Sequence, residues 1–348
     1  MNVRSALISA VATIPLCAWG EEPLRYSLKD VGTLGGTYTQ VLGVNSAGEV
    51  TGTSSIAGDV EDHAFRYHHG RIEDLGTLGG PFSDGYAINS SGWITGDAAK
   101  APGYKPPTHA FLDRKGGMHD IGTLGGRRSV GNAINPAGEI TGGSDTSDGN
   151  VRAFLFRKWR MFDLGTLGGS GSEGYGINAA GEVTGASNLA GDLESHAFLY
   201  RKGRMHDLGT LGGTSSIGSA INAAGKVVGY STTASATYQY HAFLYHNGRM
   251  HDLGTLGGIR SSASGINDAG EIVGLSETNV YLEFHAFLYR HGKMIDLNTV
   301  VDPPESQEPI TLLEAHAISD NGLIIVNGIN SKGEAHGYLL SPHRDPDE

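Results

Sequence analysis

A chain of 348 residues with 54 glycines and 39% hydrophobic residues suits many short strands joined by tight turns, and long helices are not expected. Its 37 acidic residues against 25 basic ones give a formal net charge of −12. Such a surface repels phosphate backbones and anionic membranes, so nucleic acid is excluded as a partner.

The N-terminus reads "MNVRSALISAVATIPLCAWGEE", with Arg4 as a basic start, an apolar run from Ala6 to Cys17, and small residues at Ala18 and Gly20. This pattern is a signal peptide over residues 1–20, cut near Gly20, and it predicts a secreted or periplasmic protein. A buried first helix and a membrane anchor are the competing readings; the run is shorter than the roughly 20 residues that span a bilayer. Cys17 also raises a lipoprotein reading, which Leu16 disfavours because a small residue belongs there. Cys17 is the only cysteine, so packing and backbone pairing must hold the mature chain together without disulfides.

From residue 24 to 341 the chain repeats itself, and residues 342–348 read as a short polar tail. The stretch "DLGTLGG" or a near copy begins at Asp30, Asp74, Asp120, Asp163, Asp207 and Asp252, with the degraded "DLNTVVD" at Asp296. Within each copy, "YGINAAGEVTG" reads as strand, turn and strand, with Asn at the first turn position and Gly at the fourth. The following "HAFLYRKGRMHDLG" reads as a second hairpin, whose Gly occupies a position that wants positive φ. Four short antiparallel strands in about 44 residues match the period of a propeller blade.

The ends fix the count. "YSLKDVGTL", residues 26–34, supplies a fourth strand before any first strand, whereas the last copy stops without one. The expected fold is therefore all-β: a seven-bladed β-propeller, four antiparallel strands per blade, closed by pairing the N-terminal strand with the last blade. An open solenoid is the rival, and it gives no reason to divide a unit between the two ends. The residue two before each turn Asn is small, at Gly43, Ala87, Ala133, Gly176, Ala220 and Gly265, with Ala317 in the last copy. This is the taper expected where innermost strands converge on an axis.

The combination "HAFLY…G…DLGTLGG…IN..G" resembles the HAF repeat of bacterial extracellular proteins. The resemblance covers essentially the whole mature chain and implies secretion and a repeat fold, with no catalytic residue to carry over. Arg152 in place of the triplet His, Trp159 in place of the turn Gly, and a seventh copy altered in nearly every motif depart from the pattern.

The repeated His63, His109, His196, His241 and His285 each stand 11 residues before a motif Asp, as Arg152 does before Asp163. Together with Asp74, Asp120, Asp163, Asp207 and Asp252 they are read as a structural bracing network, since equivalents on sheets about 10 Å apart cannot share one metal ion. His119, His206 and His251 are expected at the surface. "GTLGG" is not a phosphate loop, because a strand and not a helix follows it and no "GK" appears. No cofactor, metal or catalytic residue is assigned.

Variable loops connect the second strand to the third and the fourth to the next first strand, all on one face, where binding residues concentrate on rigid scaffolds. On that face the non-repeated Tyr38, Phe82, Arg127, Arg128 and Arg260 are the candidate ligand contacts, suited to sugars or carboxylates. Thr39, Ser83, Ser129, Ser172, Ser216 and Ser261 recur beside them and would ring the channel mouth, where capping the innermost strand through bonds to local backbone is their leading role. The segment 301–314 reads as an insertion. The leading functional reading is a monomeric binding module for an extracellular polysaccharide or protein. A polysaccharide lyase or hydrolase at the channel mouth, and a purely structural envelope protein, are the alternatives.

Overall fold

The computed structural model describes residues 24–103, 105–114, 116–234, 239–302 and 309–343. The signal-peptide reading of residues 1–20 lies outside them. No described helix is long and apolar enough to cross a membrane.

The described chain is all-β, built of antiparallel sheets of four strands. After β1 (Tyr26–Asp30) comes a meander of β2 (Gly35–Val44), β3 (Val50–Ile56), β4 (Asp62–His68) and β5 (Arg71–Asp74), each strand paired with the next. A second meander follows as β6 (Ser83–Ile88), β7 (Ile94–Ala99), β8 (Thr108–Arg114) and β9 (Gly117–Asp120). Four more begin at Gly125, Gly168, Gly212 and Gly257. Single parallel bridges, Ser195 to Ser215 and Tyr240 to Arg260, join three of these edge to edge. The last sheet takes Thr311–Ile318, Ile324–Ile329 and Ala335–Pro342 from the C-terminus and completes itself with β1, Tyr26 facing Pro342 and Asp30 facing Tyr338.

Two boundaries read from the sequence change. Pro342 belongs to the last strand, and the His343 amide donates to the Arg25 carbonyl, so backbone pairing carries through 343 and the tail is shorter than 342–348. Residues 311–314 of the 301–314 segment are not insertion: they begin an innermost strand. The alternation there reads poorly because "TLLEAHAI" lacks the Gly-Gly and hydroxyl marks of the other copies.

Each element forms for local reasons. The turn Asn45 accepts from the amides of Ala47 and Glu49 through Oδ1, and the Gly48 amide closes the turn on the Asn45 carbonyl. A recurring glycine is demanded by close approach, as at Gly52, where a Cβ would lie 1.9 Å from the Gln40 carbonyl oxygen, beside the register shift between Val41 and Gly43. Apolar side chains pack between neighbouring sheets. The triplet phenylalanines Phe65, Phe111, Phe154, Phe198, Phe243 and Phe287 are fully buried there, each stabilising by about 2–3 kcal/mol. The first and last sheets share such a cluster, Val41, Val50 and Phe65 with Ile325 and Leu339.

Candidate functional site

A recurring frame comes first. His63 Nδ1 lies 2.9 Å from both carboxylate oxygens of Asp74. The same pair recurs at 2.7–3.0 Å for His109 with Asp120, His196 with Asp207, His241 with Asp252, and His285 with Asp296. His336 completes the pattern with Asp30, 306 residues away. Each carboxylate in the "DLGTLGG" copies also accepts from the amide two residues on, as Asp74 does from Gly76. In the Arg152 copy, Asp163 keeps its bond from Gly165 while the Arg152 guanidinium donates to the Ser170 carbonyl.

The hydroxyl column bonds backbone, as expected of Ser and Thr beside a strand, and is buried and not exposed at a mouth. Thr39, Ser83, Ser129, Ser172, Ser216 and Ser261 are all buried. Ser83 donates to the Gly76 carbonyl at 2.6 Å and accepts from the Ala64 amide at 2.9 Å, joining one sheet to the next. Ser129, Ser172, Ser216 and Ser261 repeat this bridge. A small polar residue among such amides and carbonyls satisfies groups that would otherwise be unpaired.

A second chain of bonds runs through the turn asparagines. Asn45 Nδ2 donates to the Asn89 carbonyl, Asn89 to that of Asn135, Asn135 to Asn178, Asn178 to Asn222, Asn222 to Asn267, and Asn267 to Ser319. Asn321 then donates to the Ser46 carbonyl at 3.0 Å, which brings the last copy back to the first.

Inside this frame lies a cavity of about 280 Å³, lined by three consecutive residues from each of seven innermost strands, Leu42–Val44 through His316–Ile318. The small column is at closest approach: a Cβ on Gly43 or Gly176 would lie 3.0 Å from the Cα of Ala87 or Ala220 in the next strand. The residue just before it points variety inward: Leu42, Tyr86, Asn132, Tyr175, Ser219, Ser264 and His316. These seven also line a second cavity of about 370 Å³, together with Ile217 and Tyr230.

Carboxylates stand beside this column. Asp84 and Asp97 face each other across β6 and β7. Burial, then the charge of Asp84, raises the Asp97 carboxyl to about 7, against bonds from Tyr86 and Thr108 and the charge of Arg128. Burial also raises Asp84, although Thr53 donates to it at 2.6 Å. The Tyr175 hydroxyl donates to Glu173 at 3.1 Å, and Asn132 Nδ2 donates to the same carboxylate at 3.0 Å. Burial and the neighbouring carboxylates push the hydroxyls of Tyr86 and Tyr175 well above the usual phenol range. Burial acts to raise Glu314, and the hydrogen bond and charge of His316 outweigh it to hold that carboxyl down.

The five residues singled out from sequence line neither cavity. Tyr38, Phe82, Arg128 and Arg260 occupy equivalent positions near the start of separate innermost strands, with Arg127 one residue earlier. Tyr38 donates to Gln40 at 3.1 Å, and Arg127 and Arg128 are exposed. The Arg260 fork is already taken by Glu277, at 3.1 and 3.2 Å, and stacks over Phe284. This arginine holds Glu277 down to about 2, so the pair is closed on itself. The cavity-lining column was missed, although the sequence carries its signal: a position changing from Leu to Tyr, Asn, Ser and His, directly before an invariantly small one.

No protein-family model matches the chain, and no curated protein sequence does. Solved structures do. The structure described as YCF48 bound to D1 peptide shares 12% identity, covers 95% of this chain and 98% of its own, and superposes with a TM-score of 0.51. TolB from Acinetobacter baumannii shares 13% identity over 84% of this chain with a TM-score of 0.47, and this chain spans 63% of its length. TolB from Agrobacterium tumefaciens, described as putative, shares 12% over 68% of this chain and 87% of its own, with a TM-score of 0.42. The fold is a β-propeller. At such identities the likeness speaks for architecture and not for chemistry.

Proposed function

We propose that this chain is a secreted or periplasmic seven-bladed β-propeller of the HAF-repeat type, closed by β1, which binds an extracellular ligand at the mouth of its axial channel. One observation carries the reading. Around an otherwise repeated frame, the column that lines both cavities is the one that varies, with Tyr86, Asn132, Tyr175, Ser219, Ser264 and His316 gathered at one mouth. Tyrosine faces beside amide, hydroxyl and carboxylate groups suit the alternating C–H and O–H surfaces of a sugar. The carboxylates Asp84, Asp97, Glu173 and Glu314 around them favour a neutral polysaccharide over an acidic one. Retention on immobilised chitin, neutral β-glucan and polygalacturonate tests this. Retention on a neutral polymer, reduced at least tenfold in Tyr86→Ser/Tyr175→Ser, is the expected result; retention unaffected by that pair would overturn it.

A hydrolase is the second reading, favoured by the facing Asp84 and Asp97, because a buried carboxyl raised to about 7 is the form in which an acid donates near neutral pH. Release of reducing ends from the retained polymer, abolished in Asp97→Asn, is the outcome that would select it.

A further inference from the structure

The loops joining second to third strands carry an arrangement unrelated to the cavity. Three have the same length and end alike: Ala57–Glu61 in "AGDVEDHAF", Ala190–Glu194 in "AGDLESHAF" and Asn279–Glu283 in "NVYLEFHAF". At the same loop position stand Val60, Leu193 and Leu282, exposed by 73%, 92% and 54%, and Tyr281 beside Leu282 is exposed by 80%. A lone exposed aliphatic residue is ordinary. Three at one structural position, in loops held rigid, are not scattered.

The rigidity is visible in the bonds. Asp59 Oδ1 accepts from the Thr37 amide at 2.7 Å, and Asp192 Oδ1 accepts from the equivalent Ser170 amide at 2.7 Å. For the third loop Glu277, in the strand before it, does this work, accepting from the equivalent Ile259 amide at 3.1 Å and from the Leu282 amide at 3.0 Å. Each loop is also tied at its base, by the Ile56 amide to Glu61, Leu189 to Glu194, and Thr278 to Glu283. A carboxylate clasp thus fixes an apolar tip in water, where solubility alone favours a polar one. A fixed tip loses little entropy on docking.

Every tip is followed by a glutamate, Glu61, Glu194 or Glu283, and two are preceded by the clasp aspartates. These charges decide the occupant. An anionic lipid surface is repelled, and so is a second copy presenting the same acidic face. We propose that these loops dock a protein partner through extended segments whose apolar side chains alternate with lysine or arginine, one segment at each loop, an apolar residue meeting Val60, Leu193 or Leu282 and a cation meeting the glutamate that follows it. The loops belong to the first, fourth and sixth sheets, so the partner offers a separate segment to each. This docking is independent of what the channel binds.

The test uses the full chain and an array of 12-residue peptides in which apolar residues alternate with lysine, against copies with glutamate for each lysine. Wild-type protein is expected to be retained on the lysine series and not on the glutamate series. Val60→Ser/Leu193→Ser/Leu282→Ser should weaken retention at least tenfold without moving Tm, and Tyr86→Ser/Tyr175→Ser should leave it unchanged, which separates rim from channel. Absence of retention on the lysine series overturns the proposal. So does equal retention by the triple variant, or binding to vesicles with 25% phosphatidylglycerol that the triple variant loses.

Discussion

The frame and the channel column of this molecule obey opposite rules. In the frame, one solution recurs from sheet to sheet: a His–Asp pair, an Asn bridge to the next turn, and a buried hydroxyl between sheets. In the column facing the cavity, the side chain changes along the strands, from leucine to tyrosine, asparagine, serine and histidine. The difference teaches where selection for stability ends, because a repeated bond satisfies a repeated backbone need, whereas a changing side chain on a constant backbone answers to something outside the fold.

The strongest way to break this contrast is to put bulk into the small column. Ala220→Phe sets a phenyl ring in a column so close that a Cβ on Gly176 would already lie 3.0 Å from the Ala220 Cα, and overpacking of this kind costs about 1–3 kcal/mol and occasionally more. A steep fall in Tm by calorimetry is expected; an unchanged Tm would refute the convergence of innermost strands.

Asp97 tests the channel side through pH. Its carboxyl is raised to about 7 in the fold, against an ordinary value near 4. Between those values the folded state binds more protons than the unfolded one, so stability falls as pH rises and levels off above about 7. Asp97→Asn should flatten that slope and gain about 2–4 kcal/mol at pH 8 while changing little at pH 4. Equal slopes in both proteins would show that Asp97 ionises freely.

Smaller still is the brace. His196→Ala removes a partly exposed bond to Asp207, leaves the Gly209 bond to Asp207 in place, and should cost about 1 kcal/mol by denaturant titration. A cost near zero would reduce the repeated pair to ornament.

The frame was legible in the sequence because each of its parts has a short-range signature repeated at a fixed period. Asn with Gly three later marks a turn, and His with Asp 11 later marks a hairpin. The mouth was less so. Tyr38, Phe82, Arg127, Arg128 and Arg260 stood out as large residues near loops, yet strand direction carries the cavity to the residues before Gly43, Ala87 and their equivalents. Arg260 also looked free in one dimension, and only folding brings Glu277 to it. The facing Asp84 and Asp97 are 13 residues apart in sequence and meet through a register that a bulge displaces by one. The Asn chain was hidden differently: each donor and acceptor is visible as a turn residue, and their bonds cross between copies.

The division between frame and column is tested most directly by measuring Tm and retention on the neutral polymer side by side for Tyr86→Ser/Tyr175→Ser and His196→Ala. A column that binds and a frame that holds predict crossed outcomes: the tyrosine pair loses retention at least tenfold with Tm nearly unchanged, and the histidine variant loses Tm with retention intact. Loss of retention in proportion to Tm in both proteins would contradict it.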